Sequence, residues 1–400
     1  MLTALKKNGD RICLGDGWGK ADLQVLRNNE LFYCPLCREN VILKLGEKRV
    51  FHFSHLQGSS CLFEYERESE YHMNGKLQLY HWLKQQGLTP EMEYYDPKIK
   101  QRADIIFFIG RKKFALEYQC SSISEESLSK RTKGYLSNGY SPIWILGGNQ
   151  FSRCTAYISS LSDLHYLFLQ SFTSNIWTIP YYCSVVKKFI LLQSIQPISS
   201  RRAFTDQKLI SIEKINMTQL LSSFKVKNIQ PMLWVKELQK WKQKQVQFQN
   251  AYHHPFLRAL YENNLNLFLL PPYIGLPIRY SPYIMTPPII WQSYLFIDVF
   301  LKWNIDKPIK FHNIYVPFMK RIFQKHIQVR QLPLLKEGHI SMAVQEYLQL
   351  LVNVGFFKRV NSNTFLINKP IDVPNNVNKQ RELEEFFYKK YEKSIFENWT

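Results

Sequence analysis

The sequence predicts three parts in order: a small β-rich module, a compact α/β (α+β) core, and a basic, mainly helical region. Three observations carry this. Cysteine and histidine cluster within the first 62 residues, in runs too short to build a large core. Helical and strand periodicities alternate as α-β-β-β-α-β over residues 63–150. The charge is uneven: 52 Lys/Arg stand against 32 Asp/Glu, a net of +20, and residues 151–400 carry +16 of it. The predicted boundaries are 1–62, 63–150 and 151–400.

In the first part, Asn8-Gly9 is a two-residue hairpin turn between residues 2–6 and 11–14. A second hairpin joins 41–45 to 50–53 through Gly46-Glu47-Lys48. Cys34-Pro35-Leu36-Cys37 is a thiol knuckle, and His52 and His55 follow it. Four soft-to-borderline ligands at short spacing suit a structural Zn²⁺, with Cys61 as an alternative fourth ligand. Free thiols are the plain alternative. A redox role fits less well, since no thioredoxin-like helix follows. Seven cysteines, an odd number, do not suggest a disulfide framework.

In the second part, residues 66–86 have helical periodicity and stop at Gly87. Strands are expected at 91–95, 102–109 and 112–119, a helix at 125–136 with Ser124 as N-cap, and a buried strand at 142–146. The main chemical signal is RADIIFFIGRKKFALEYQ. A two-residue turn at Gly110-Arg111 pairs Ile109 with Lys112, Asp104 with Glu117, and Arg102 with Gln119. Opposed residues share a face, with Cβ atoms about 4.5–5.5 Å apart. Two opposed carboxylates repel unless a cation neutralises them. Mg²⁺ or Mn²⁺ prefers such oxygen ligands, activates water and stabilises charge on a phosphoryl group. The Tyr118 carbonyl is a further oxygen donor. Gln119 can orient water or a phosphate oxygen but supplies no charge. Glu68, His72 and Lys76 share one helical stripe, and Glu68 or Glu70 adds a carboxylate. Lys76, Arg102, Arg131 and Tyr135 are the candidate phosphate contacts. The plain alternative is a solvated polar face with ordinary ion pairs.

In the third part, residues 149–200 are aromatic- and Ser-rich with no clear period. Residues 205–265 read as helical, with a Lys/Gln-rich face over 235–250. Residues 271–288 form an extended Pro/Tyr connection, and helices resume at 290–303 and 316–326. The helix at 340–352 ends at Gly355 and precedes short runs at 356–360 and 364–367. Helix then hairpin is the layout of a winged helix near 335–370, or of an ordinary helix and hairpin. A charged helical tail starts at Lys379. The basic excess favours a polyanion through counterion release. No basic amphipathic terminal helix speaks for a membrane surface. No apolar run reaches the roughly 18–20 residues of a membrane span, and the first residues lack a signal-peptide core. The expected location is cytoplasmic.

YCPLCRENVILKLGEKRVFHFSH, ESEYHMNGK, RADIIFFIGRKKFALEYQ, KRTKGY and SPIWILGG, in this order and spacing over residues 1–150, resemble the competence protein CoiA family of Gram-positive bacteria. LPPYIGLPI is similar to the family further on. The resemblance implies a restriction-endonuclease-like, PD-(D/E)XK core with Glu-x-Gln in place of Glu-x-Lys. It implies a role in natural transformation, where incoming single strands are recombined. It puts the acidic pair on Asp104 and Glu117, with Gln119 third, and the Glu-Ser-x-x-His motif on Glu68, Ser69 and His72. The first functional expectation is a metal-dependent DNA endonuclease acting on single-stranded or branched recombination intermediates, with recombination proteins as candidate partners. The second is a non-catalytic DNA-binding recombination mediator that keeps the nuclease-like fold. A third is a regulator reading duplex DNA through the winged helix.

Overall fold

A computed structural model of the chain describes residues 1–47, 49–59, 61, 68–172, 176–222, 224–225, 229–248, 254–335 and 338–396. It divides into two compact units. The first comprises Met1–Phe151, Ile179–Leu191 and Lys208–Ser223. The second comprises Ser152–Thr178, Leu192–Gln207 and Phe224–Thr400.

The first unit opens with β1 (Thr3–Lys6), β2 (Arg11–Cys13), α1 (Lys20–Asn29), β3 (Phe32–Tyr33), β4 (Asn40–Lys44) and β5 (His52–His55). The five strands form one sheet in the order β2-β1-β3-β4-β5. The β1–β2 hairpin turns at Gly9, whose φ of 89° suits a residue without a Cβ. The second hairpin differs from the expected one: its outgoing strand starts at His52, because Leu43 pairs with Phe53 and both enter the core. Cys34 is buried in that same core, beside Phe32 and Val41.

The α/β part follows as α2 (Glu70–Gln85), β6 (Glu91–Asp96), β7 (Gln101–Ile109), β8 (Lys112–Gln119), α3 (Glu125–Ser137) and β9 (Tyr140–Gly147). The order α-β-β-β-α-β is the predicted one. The predicted 62/63 boundary and the first residues of the predicted helix lie outside the described residues. The antiparallel register runs from Ile105↔Leu116 to Ile109↔Lys112, as the turn at Gly110-Arg111 requires. β9 lies parallel to β8 on its other side, with Glu117 opposite Trp144. Ser69 caps α2 by accepting from the His72 N–H at 3.2 Å, and Ser124 caps α3 by accepting from Ser127 at 3.1 Å.

The weakly periodic stretch contains β10 (Ser152–Arg153), β11 (Ile158–Ser160), α4 (Asp163–Leu167), β12 (Gln170–Ser171), β13 (Trp177–Cys183) and β14 (Lys188–Pro197), and β15 (Arg202–Ser211) then takes residues 205–211 as strand where a helix is expected. The helical character expected of 151–400 therefore sets in later. β13 and β14 are buried on both faces over much of their length, which erases the alternation that marks a strand. Helices then dominate: α5 (Met217–Leu220), α6 (Pro231–Phe248), α7 (Pro255–Glu262), α8 (Pro288–Asp298), α9 (Phe311–Phe323), α10 (Ile340–Asn353), α11 (Val377–Lys390) and α12 (Glu392–Phe396). A small sheet of β16 (Ile309–Lys310), β17 (Phe357–Asn361) and β18 (Thr364–Ile367) has the order β16-β18-β17. Trp291 centres the second unit's core, its ring meeting Tyr347 at 5.3 Å and Phe318 at 6.0 Å. The buried Gln292 amide pins the proline-rich segment, accepting from Gly275 and Leu276 and donating to the Leu276 carbonyl. No helix among the described residues is long and apolar enough to cross a membrane.

Candidate active site

The β7–β8 hairpin carries Asp104 and Glu117 to adjacent cross-strand positions at the floor of a pocket of about 540 Å³. Glu68, His72, Arg102, Gln119 and Arg131 also line it, together with the serine-rich segment leading into α3. Both carboxylates are buried. Asp104 Oδ2 accepts the Tyr118 backbone N–H at 2.9 Å and lies 3.6 Å from His72 Nε2. Its Oδ1 lies 3.6 Å from Lys76 Nζ. Burial pushes the Asp104 carboxyl up, but Lys76, then His72 and the Tyr118 N–H outweigh it and hold the group well below the usual carboxylate range. Glu117 accepts from both Arg131 and Tyr135. Even so, burial and the neighbouring Asp104 keep its carboxyl raised.

Protein cations therefore do part of what the sequence assigns to a metal. Lys76 is fully buried and donates to Glu68 at 2.5 Å and Glu93 at 2.7 Å. That corrects its expected role: with three carboxylates around it and no exposed surface, Lys76 is not a phosphate contact. Tyr135 is likewise buried, with its hydroxyl on Glu117. Arg131 reaches the pocket but is already paired with Glu117. Arg102 lines the pocket 3.5 Å from Glu68. Glu70 is exposed on the first turn of α2 and is not among the pocket residues. The Gln119 amide donates to the Ser121 hydroxyl at 3.0 Å and to its carbonyl at 3.2 Å.

Sequence reasoning missed Glu93. Alternation along β6 puts it on the same side as the exposed Glu91. The backbone at Glu93 instead turns left-handed, φ 53°, between the pairs Met92↔Ile105 and Tyr94↔Ala103. Its buried carboxylate accepts from Lys76, from the Leu2 and Thr3 N–H groups, and from the Thr3 hydroxyl. It thereby ties β1 of the small module to α2. No local signal marks a strand residue that leaves its expected face.

Three family models match in chain order. The model of the competence protein CoiA N-terminal domain matches residues 15–64, that of the nuclease-like domain 68–225, and that of the C-terminal domain 229–380. The chain belongs to the CoiA competence protein family. It is 29% identical over 340 residues to the competence protein CoiA of Bacillus subtilis (strain 168), covering 85% of this chain and 90% of that protein. No solved structure matches the chain. Apart from Leu36, the pocket residues fall inside the span matched by the nuclease-like domain model, and Cys34, Cys37 and Cys61 fall inside the N-terminal one.

Those cysteines form a second cluster. The donor atoms of Cys34, Cys37, His55 and Cys61 all lie within 4.8 Å of one another, and Cys37 Sγ is 3.3 Å from His55 Nε2. Three thiols and one imidazole make a closed four-donor set that could hold a metal such as zinc. The structure brings in Cys61, the alternative ligand, and leaves out His52. Three residues apart on one strand, His52 and His55 point to opposite faces, and His52 Nδ1 sits 2.9 Å from the Val50 carbonyl. Leu36, on the knuckle between Cys34 and Cys37, lines the Asp104–Glu117 pocket.

The donor set of the pocket also fits a divalent cation. Asp104 and Glu117 offer hard oxygen ligands. Glu68 Oε2, 3.6 Å from the N-terminal ammonium, and His72 Nε2, 3.6 Å from Asp104, are buried without a hydrogen bond.

Proposed function

We propose that this chain is a metal-dependent DNA endonuclease that processes incoming DNA during natural transformation. The observation that carries the reading is the buried Asp104–Glu117 pair at the floor of an open pocket in the nuclease-like domain. Asp104 and Glu117 would hold Mg²⁺ or Mn²⁺, with Glu68 and His72 beside them. A bound divalent cation supplies Lewis-acid stabilisation of the phosphoryl oxygen and a more acidic water. The chain's own residues do the rest. Lys76 and the Tyr118 N–H fix the Asp104 carboxylate in its ionised form. Arg131 and Tyr135 hold the Glu117 carboxyl in position by their hydrogen bonds. Arg102, at the pocket wall, faces the phosphate backbone, and Gln119 orients water or a phosphate oxygen by its amide. Zn²⁺ held by Cys34, Cys37, His55 and Cys61 stabilises the small module. The excess of cations over 151–400 supplies the sequence-independent grip on DNA, single-stranded or branched.

A second reading, a non-catalytic recombination mediator, draws on two observations. Gln119 replaces a cation, and Lys76 and Arg131 already compensate much of the carboxylate charge. One experiment separates the two. Purified protein and the Asp104→Ala variant are incubated with labelled single-stranded, duplex and branched DNA, with Mg²⁺, Mn²⁺ or no added divalent ion, each with a gel-shift lane. Metal-dependent cleavage by the wild type, lost in the variant with binding retained, is the expected outcome. Binding without cleavage under every metal would give the site to the mediator.

A further inference from the structure

We propose that the outer face of α9 is a stacking surface for single-stranded DNA. The inference deepens the DNA-handling reading above by naming the surface and the form of DNA it takes. At 3.6 residues per turn, His312, Val316, Met319, Lys320 and Phe323 fall within an arc of about 100°. Ile314 and Phe318, on the opposite side, are buried in the core. The outer arc is apolar where a solvated helix face would be polar: Val316 is 49% exposed, Met319 41% and Phe323 89%. A phenyl ring that open to water is a cost that folding of this unit does not recover.

The surroundings select the occupant. Residues 299–330 hold seven Lys/Arg and one Asp. Lys302, Lys307, Lys310, Lys320 and Lys325 are all exposed there. Aromatic and apolar side chains among cations match a strand that offers bases to stack and phosphates to neutralise. Duplex DNA, with its bases already stacked, gains nothing from Phe323.

The small sheet bears on duplex reading, and its leading helix is poorly charged for it. The β16-β18-β17 order with α10 ahead of the hairpin follows the winged-helix layout, in which the helix before the wing enters the major groove. α10 (ISMAVQEYLQLLVN) contains no Lys or Arg and buries Ala343, Val344, Tyr347, Leu348, Leu350 and Leu351. Its Glu346 is engaged by the Arg279 and Tyr280 N–H groups. The helix that would enter the groove thus shows solvent a face without a cation, whereas the open face of α9 is apolar and carries Lys320.

The test uses the full chain without added divalent ion and reads fluorescence anisotropy on labelled oligothymidine and on a duplex of equal length. Phe323→Ala is expected to weaken single-strand binding roughly five- to a hundredfold and to leave duplex binding unchanged. Phe323→Trp is expected to keep the affinity, with its added fluorescence quenched as DNA binds. Equal single-strand affinity of wild type and Phe323→Ala, with no quenching in Phe323→Trp, would overturn the proposal. So would sedimentation showing a self-associated wild type that Phe323→Ala dissociates without change in DNA affinity, since a second copy would then cover the face. A wild type that binds no single strand overturns it as well. The cleavage assay with Asp104→Ala runs in parallel, so a missing nuclease activity refutes only the catalytic reading.

Discussion

Lys76 shows how much a single buried charge can organise. It meets Glu68, Glu93 and Asp104, and Arg102 stands within 3.8 Å of Glu93. Removing one partner of such a cluster leaves uncompensated buried charge. Lys76→Met is expected to destabilise the protein by about 3–5 kcal/mol, measured by urea unfolding. The same network sets an acid limit. Burial pushes the Glu93 carboxyl up, but Lys76 and Arg102 prevail and hold it well below its ordinary 4.5. A carboxyl lowered on folding contributes stability in full above its unfolded value and loses it as pH falls through the folded one. Glu117 runs the other way: its raised carboxyl costs stability at neutral pH and returns it on protonation. Asp104 and Glu68 side with Glu93, so stability is expected to fall below about pH 4.5. Thermal melts from neutral to acid pH check this, and Glu93→Gln should flatten the slope. Gly75 is a second sensitive position. A Cβ there would run into the Tyr118 ring, which cannot withdraw because its hydroxyl donates to the Tyr182 carbonyl at 2.9 Å. Gly75→Ala is expected to cost about 1–3 kcal/mol and to slow any cleavage by shifting the backbone between Glu117 and Gln119.

At the scale of elements, the small module and α3 position the site from two sides. The four-donor cluster fixes the knuckle that carries Leu36 to the pocket. Mass spectrometry under native conditions is expected to find one zinc per chain. Cys61→Ser should lose it, whereas His52→Ala should keep it. The reverse result would restore His52 as the ligand. α3 brings Arg131 and Tyr135 onto Glu117 from one face of one helix. Its Ser124 cap satisfies a first-turn N–H. Ser124→Ala is expected to cost about 1 kcal/mol by chemical denaturation. These elements were legible where a local signal is strong: caps, a two-residue turn, a 3.6-residue stripe on α2. The hairpin register followed from the turn alone, because each step away from Gly110-Arg111 fixes the next pair. Burial on both faces made β13 and β14 illegible, since a strand without a solvent face loses its alternation.

Over the whole molecule, charge separates the chain's tasks. The first 150 residues are nearly balanced and hold the pocket, while 151–400 carry most of the +20. Binding to single-stranded DNA is expected to weaken steeply with salt. A slope steeper than about −3 in log K against log salt corresponds to four or more neutralised phosphates, at roughly 0.7 per phosphate. A slope near zero would remove the electrostatic grip assigned to this region.

By itself the sequence determined the α-β-β-β-α-β order, the hairpin register around Gly110-Arg111, the thiol knuckle and the basic excess. Each is a property of neighbours along the chain or of composition, so spacing suffices to read it. Only the tertiary structure decided which of His52, His55 and Cys61 meet at Cys34 and Cys37. It alone showed that Lys76 is buried among carboxylates rather than exposed, that Glu93 joins that cluster, and that α9 keeps an open apolar face. Those outcomes depend on which surfaces segments far apart in sequence cover. Burial decides whether a charge pairs inward or meets solvent, and no local pattern encodes what will be packed against it.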